Sequence, residues 1–423
     1  MAIIVPSTSN TLYLSALANT IKDKYNADIP KLIPMEIFLW NYFKPALVAF
    51  EGERRFNIMM QTQLNESAGA TAEMVDLPES RVPAFAQGYL YLKKMIARMT
   101  ISKESIVLTQ GANAMIKGLP NLMDSTIKPW MLNLEAFMHQ DGSSYLASST
   151  ADDASQVVTV DSTRFIRPGM VLDGYDSSNN HDADGVVVTA VNSDTTFTVT
   201  GTITSVDSNT RWYTEGSWVT SASQTISGIY APQGIETIVD ESDPNYGDFQ
   251  GLDRATYDYA SAIVRDMSDA GGSAGTAGAL TQMRMIHLLD SIWKSSAHAV
   301  PHFGYCGLGV FNALYQDYRN AHQPTELMPA KDGIPQGLEF QYHGRSIPIV
   351  SSPNAKPKAM FFLNKDYLFR YSVGDPKWDE EGGFLRALED KHAFQALYYG
   401  YMNFGTTLPQ ASGRLNDISE VTY

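Results

Sequence analysis

Gly337-Leu338-Glu339-Phe340-Gln341-Tyr342-His343-Gly344-Arg345-Ser346-Ile347-Pro348-Ile349-Val350 ends in a strand-like apolar run, Ile347 to Val350. Three more such runs follow, at Met360 to Leu363, Tyr367 to Tyr371 and Phe394 to Phe404, mostly bounded by the Gly, Pro, Asn and Asp that turns require. Two helical signals lie upstream. Apolar residues at Ala112, Met115, Ile116, Leu119, Leu122, Met123, Ile127, Trp130, Met131, Leu134, Phe137 and Met138 keep to one helix face. Pro120 and Pro129 fall inside this run, which predicts a kinked helix or two collinear helices, closed by the Asp141-Gly142 turn. Gly271 to Gly278 reads as a flexible lead into a second helix, with Leu280, Met283, Ile286, Leu289, Trp293 and Ala297 on one face and Pro301 ending it. The class is α+β, and no repeat of about 20 to 50 residues is present.

Between Ala151 and Tyr230 the composition shifts to Thr, Ser, Val, Asp and Asn. Val157 to Val160, Met170 to Tyr175, Val186 to Val191 and Thr196 to Thr200 read as short strands, the last two joined by a hairpin at Asn192-Ser193-Asp194. Short strands at this spacing bury their faces only by closing into a barrel or sandwich, so residues 151–232 are expected to form an inserted small all-β domain. Nearer the start, Pro30, Pro34 and Pro45 punctuate an aromatic stretch holding Phe38, Trp40, Tyr42 and Phe43, which reads as a docked arm. Glu66 to Pro83 lacks either periodicity and reads as a projecting loop.

The 423 residues predict two or three domains or large insertions. With 31 basic against 46 acidic residues the formal charge is -15, which disfavours direct binding to phosphate backbones. Charged residues make up only 18% of the chain, leaving much uncharged surface for protein contacts. Cys306 stands alone, so no intrachain disulfide forms and a reducing compartment fits. No basic region precedes an apolar stretch at the start, and Pro34, Glu36, Lys44 and Pro45 interrupt the segment from Leu32 to Phe50, so neither signal peptide nor membrane span is expected.

Gly271-Gly272-Ser273-Ala274-Gly275 matches a hydrolase nucleophile elbow, but Ala262 to Met267 before it makes an unconvincing buried strand and a flexible loop explains it better. Asn180, Asp182, Asp184 and Gly185 resemble half a calcium loop whose closing Glu is replaced by Val191, so a strand connection is preferred. His298 and His302 are separated by Pro301, which opposes one continuous helix. His139, His287, His322, His343 and His392 are scattered, and read as surface or structural residues. No phosphate loop, Gly-x-Gly-x-x-Gly or CxxC pair occurs, and the 22 Tyr and 18 Phe lack the interleaved Arg and Lys of a base-stacking platform. No catalytic, cofactor-binding or metal-binding residue is expected.

The order of features resembles the major capsid proteins of tailed bacteriophages, the Hong Kong 97-type fold. Ile101-Ser102-Lys103-Glu104 follows an extended loop. The long helix then runs into His139-Gln140-Asp141-Gly142-Ser143-Ser144-Tyr145-Leu146, similar to the family's "GDGtG-x-L" junction, with Gly142 matching and Ser144 replacing the usual Gly. Arg167-Pro168-Gly169-Met170-Val171-Leu172-Asp173 resembles the "GM-x-v-D" strand of members with a β insertion, and Ser227-Gly228-Ile229-Tyr230 the point where such chains resume. Gly337 to Val350 looks like the "f-x-G-x-x-I-P-i" strand. Ala359-Met360-Phe361-Phe362-Leu363-Asn364 follows as "fLn", then Ala396 to Phe404, Leu408-Pro409 and Asn416-Asp417-Ile418. The resemblance covers roughly Asn65 to Ile418.

It implies an N-terminal arm at 1–62, an E-loop with flanking strands at 63–105, a P-domain spine helix at 106–150, the β domain at 151–232, an A-domain at 233–385 and C-terminal P-domain strands at 386–423. It further implies self-association into hexamers and pentamers of an icosahedral head, in the virion after assembly in the host cytoplasm. The genome is enclosed without sequence-specific binding. A scaffolding protein, a portal and a decoration protein are the implied partners, with no membrane. An encapsulin-like shell holding enzyme cargo, a phage adhesin or fibre, and a Ser273 hydrolase are the alternatives.

Overall fold

The computed structural model describes residues 11–12, 39–47, 55–63, 67, 82–109, 118–153, 155–176, 180–201, 203, 206–217, 231–244, 248–267, 277–320, 338–379, 385–389 and 391–421. Most of the Glu66 to Pro83 loop, Ala112 to Ile116, Ser227 to Tyr230, Ser273, His322 and Gly337 lie outside them. The contacts gather into two compact units: residues 1–41, 93–232 and 372–402, and residues 42–92, 233–371 and 403–423. The C-terminal stretch contributes strands to both units, because sheet pairing joins residues far apart in sequence.

In the first unit the helix Gly118–His139 packs against the strand Lys93–Ser102. That strand pairs antiparallel with the start of Ala393–Thr406, from Ser102↔Ala393 to Lys93↔Met402, and in parallel with Thr11–Leu12. Trp130 of the helix meets Tyr398 edge-on at 5.2 Å. Both expected breakers sit in one helix: Pro120 lies in its first turn, where no N–H is needed, while Pro129 is internal. From Leu134 to His139 every residue is buried, and the exit turn uses two left-handed residues, Gly142 (φ 87) and Ser144 (φ 70).

Six strands between residues 147 and 214 form an antiparallel sheet ordered Ala147–Ser148, Arg211–Thr214, Val171–Tyr175, His181–Ser193, Thr196–Thr200 and Val157–Thr159. A bridge between Ser149 and Val160 joins the two end strands and closes the sheet on itself. Val158, Leu172, Val186, Val188, Phe197, Val199 and Trp212 fill the interior, with Trp212 Nε1 donating to Ser149 Oγ at 2.9 Å. Closure leaves no long free edge and explains how so few residues sustain a core.

The second unit holds a mixed sheet ordered Ile263–Asp266, Gly413–Asn416, Met360–Leu363, Phe303–Cys306, Arg345–Ser351 and Leu338–Tyr342. Met360–Leu363 and Phe303–Cys306 are buried at every position, as central strands covered on both faces must be. The helices Gln282–Ser295 and Leu308–Asn320 supply Met285, Leu288, Leu289, Ile292, Val310 and Leu314 to its core. Ile263–Asp266 is an edge strand only partly buried, in keeping with the lack of a convincing buried strand before Gly271. One expectation is corrected. The helix before Pro301 stops at Ser295; the chain leaves it through Ala297 (φ 50) and His298 (φ 71), not by proline termination.

Candidate functional site

Arg55–Gln63 and Ala84–Tyr91 form a two-stranded antiparallel hairpin in the second unit. Strict alternation gives it two unlike faces. Phe56, Ile58, Met60 and Leu90 pack on Leu252, Ala260 and Tyr371, whereas Met59 (71% exposed), Phe85 (58%) and Tyr91 stand on the open face. Its seat is the turn at Gln250-Gly251, whose Gln250 O accepts from Tyr89 N at 2.7 Å. Buried Arg254 ties that loop together by donating to the carbonyls of Thr237, Ser242 and Ala260 while lying 3.9 Å from the Phe249 ring centre. Its open face thus shows large apolar side chains to solvent, a surface of the kind that protein contacts cover. The sequence signal was present but incomplete, since alternation marks two faces and does not say which one the chain covers itself.

A groove of about 580 Å³ lies in the first unit, lined by Lys94 to Arg98, by Ser125, Pro129, Trp130, Asn133 and Phe137 of the long helix, and by Thr214 to Ser217. Its charged lining residues are Lys94, Arg98 and Glu215, with no imidazole or thiol among the residues that line it. At the helix end His139 is fully buried and its Nδ1 donates to Glu135 O at 2.8 Å. Burial pushes its pKa down to about 3, with the backbone bond acting the other way and Arg164 adding to the fall, so the ring is neutral and structural. Cys306 is buried and its thiol pushed up to about 12 by burial, which removes it as a nucleophile.

The motif residues do not assemble as the sequence hinted. Asn180, Asp182, Asp184 and Gly185 lie at the start of the strand His181–Ser193 rather than in a cation-binding loop: Asp182 turns inward to accept from Thr210 Oγ1 at 2.7 Å, while Asp184 faces out beside Asp173 and His181. That last grouping was not anticipated. His298 stacks on Trp293 at 4.1 Å, while His302 Nε2 lies 3.4 Å from Asp366, which also holds Lys44 at 2.7 Å. His343 also stacks on Trp293, at 5.1 Å, and His287 and His392 are exposed.

No protein-family model matches the chain, and no curated protein sequence does. Solved structures match along nearly all of it. The capsid asymmetric unit of cyanophage A-1(L) is similar over 96% of this chain and 98% of its own, at 11% identity with a TM-score of 0.56. The fold is a phage-capsid fold. Also similar are the capsid of a native GTA particle, at 9% identity over 95% of this chain and 96% of that one with a TM-score of 0.49, and the holo-SrpI encapsulin complex from Synechococcus elongatus PCC 7942, at 9% identity over 97% and 99% with a TM-score of 0.48. Within the capsid fold the long helix, the hairpin and the mixed sheet are placed by this chain's own pairings, and the closed six-stranded sheet follows directly after the helix.

Proposed function

We propose that this chain is the major capsid protein of a tailed double-stranded-DNA phage, assembling as hexamers and pentamers into the icosahedral head that encloses the genome. The observation that carries it is the capsid fold, matched over 96% of the chain. The apolar open face of the hairpin and the charge of -15 support the same reading: the first wants a neighbouring subunit, the second suits a wall facing packed phosphates. In this reading the hairpin and the loop it carries are the E-loop, the long helix is the spine of the P-domain, and the closed six-stranded sheet is an insertion available to a decoration protein. Scaffolding and portal proteins complete the assembly in the host cytoplasm. Shell building needs no catalytic residue or cofactor.

Expression of the full chain with and without a candidate scaffolding protein, followed by electron microscopy of the high-mass fraction, tests this. Rings, tubes or closed particles are expected. A stable monomer under every condition would overturn it, and particles that retain an enzyme cargo and exclude DNA would replace it with a compartment shell.

A further inference from the structure

Asp173, His181 and Asp184 bring one ligand atom each to a common centre, all three lying within 4.8 Å of one another. In a regular strand His181 and Asp184, three residues apart, would face opposite sides. Here the register between Val171–Tyr175 and His181–Ser193 slips twice, between Leu172 and Gly174 and between Gly174 and Tyr175. Asp182 and Ala183 both turn inward as a result, and His181 and Asp184 emerge on the same outer side. Bulges of this kind re-aim side chains.

Two of the three side chains are held before any ion arrives, while Asp184 is exposed and free to close on it. Asp173 is buried, with Oδ1 accepting from Gly185 N at 2.9 Å and Oδ2 from Gly216 N at 3.0 Å, which fixes the carboxylate and leaves each oxygen a second lone pair. The His181 ring is stacked on Tyr175, 4.6 Å between centres and 18° from parallel. Its Nε2 stands 3.8 Å from Asp184 Oδ1, too far for a hydrogen bond and near the spacing of two ligands on one tetrahedral ion, about 3.4 Å for bonds of about 2.1 Å. Glu215 adds negative charge alongside, with Oε1 4.0 Å from where a side chain on Gly185 would begin. One nitrogen and two carboxylate donors suit a transition metal; calcium asks for six to eight oxygens.

We propose that Asp173, His181 and Asp184 form a binding site for a divalent transition-metal ion of the zinc class, with a fourth position open. The ion staples the Tyr175 to His181 connection to the Gly216 turn through Asp173. Full-length protein stripped with a chelator is titrated by calorimetry with Zn2+ alone, with Ca2+ for comparison, and with Co2+ followed by visible absorption. One saturable Zn2+ per chain is expected, with a raised Tm and a Co2+ spectrum showing nitrogen ligation. His181→Ala and Asp184→Asn each weaken binding by at least about tenfold, while Asp194→Asn, an exposed acid in the turn between His181–Ser193 and Thr196–Thr200, leaves it unchanged. Asp184 is 86% exposed, so its variant keeps the fold, checked by circular dichroism. Absence of a saturable Zn2+ site, binding indifferent to both variants, or preference for Ca2+ overturns the proposal. None of these outcomes bears on shell assembly, which electron microscopy reads separately.

Discussion

Gly251 and Tyr89 show how one missing methyl group seats a strand. Gly251 has φ 72, and a Cβ there would lie 2.2 Å from Tyr89 Cε1, so only glycine lets the ring lie flat on the turn. Gly251→Ala is expected to destabilise the subunit by about 1–3 kcal/mol in urea unfolding, through overpacking and left-handed strain. Ser144 carries the same backbone demand with φ 70, which explains why glycine is the residue the resemblance leads one to expect there. His139 gives a pH prediction. Its folded pKa of about 3 lies below the unfolded value of about 6.5, so between the two only the unfolded chain takes up the proton. Its contribution is complete above pH 6.5 and declines as pH falls toward 3, by up to about 1.4 kcal/mol per pH unit. His139→Phe should flatten the dependence of the urea midpoint on pH between 7 and 4; an unchanged slope would show that other groups govern it.

At the scale of elements, the hairpin separates folding from assembly. Phe85 is exposed and paired across the strand with Gln61, so Phe85→Glu is expected to change subunit stability by less than about 0.5 kcal/mol while abolishing particles under the electron microscope. How legible an element was depended on its pattern. Thr196–Thr200 and Met360–Leu363 have the bounds read from sequence, because each is a compact run of strand formers. The helix Leu308–Asn320 was missed, as it opens on Gly307-Leu308-Gly309 and breaks the apolar period early. Phe303–Cys306 was missed because a buried central strand of four residues shows no alternation. Asp173, His181 and Asp184 were invisible as a group, since one comes from the neighbouring strand and the other two meet only through bulges.

For the whole molecule the net charge of -15 sets the relation to a cargo. The isolated subunit is expected not to retard duplex DNA in a gel-shift experiment at physiological salt, whereas particles that package DNA would protect it from nuclease. Retardation that weakens steeply with salt would instead place a basic footprint on the chain. The fold class and the capsid resemblance were readable because several short patterns occur in one order. The partners of the last strands were not, because nothing local in residues 386–423 says that Ala393–Thr406 pairs with Lys93–Ser102 while Gly413–Asn416 enters the mixed sheet.

That threading has a consequence during synthesis. Lys93–Ser102 waits about 300 residues for its partner strand, and the mixed sheet stays open at its Ile263–Asp266 and Met360–Leu363 strands until Gly413–Asn416 arrives between them. At about 5–20 residues per second, the interval is some tens of seconds in which neither unit is complete. Until those two late strands are made, Lys93–Ser102 and Met360–Leu363 each present an edge without its native neighbour, open to pairing with another chain.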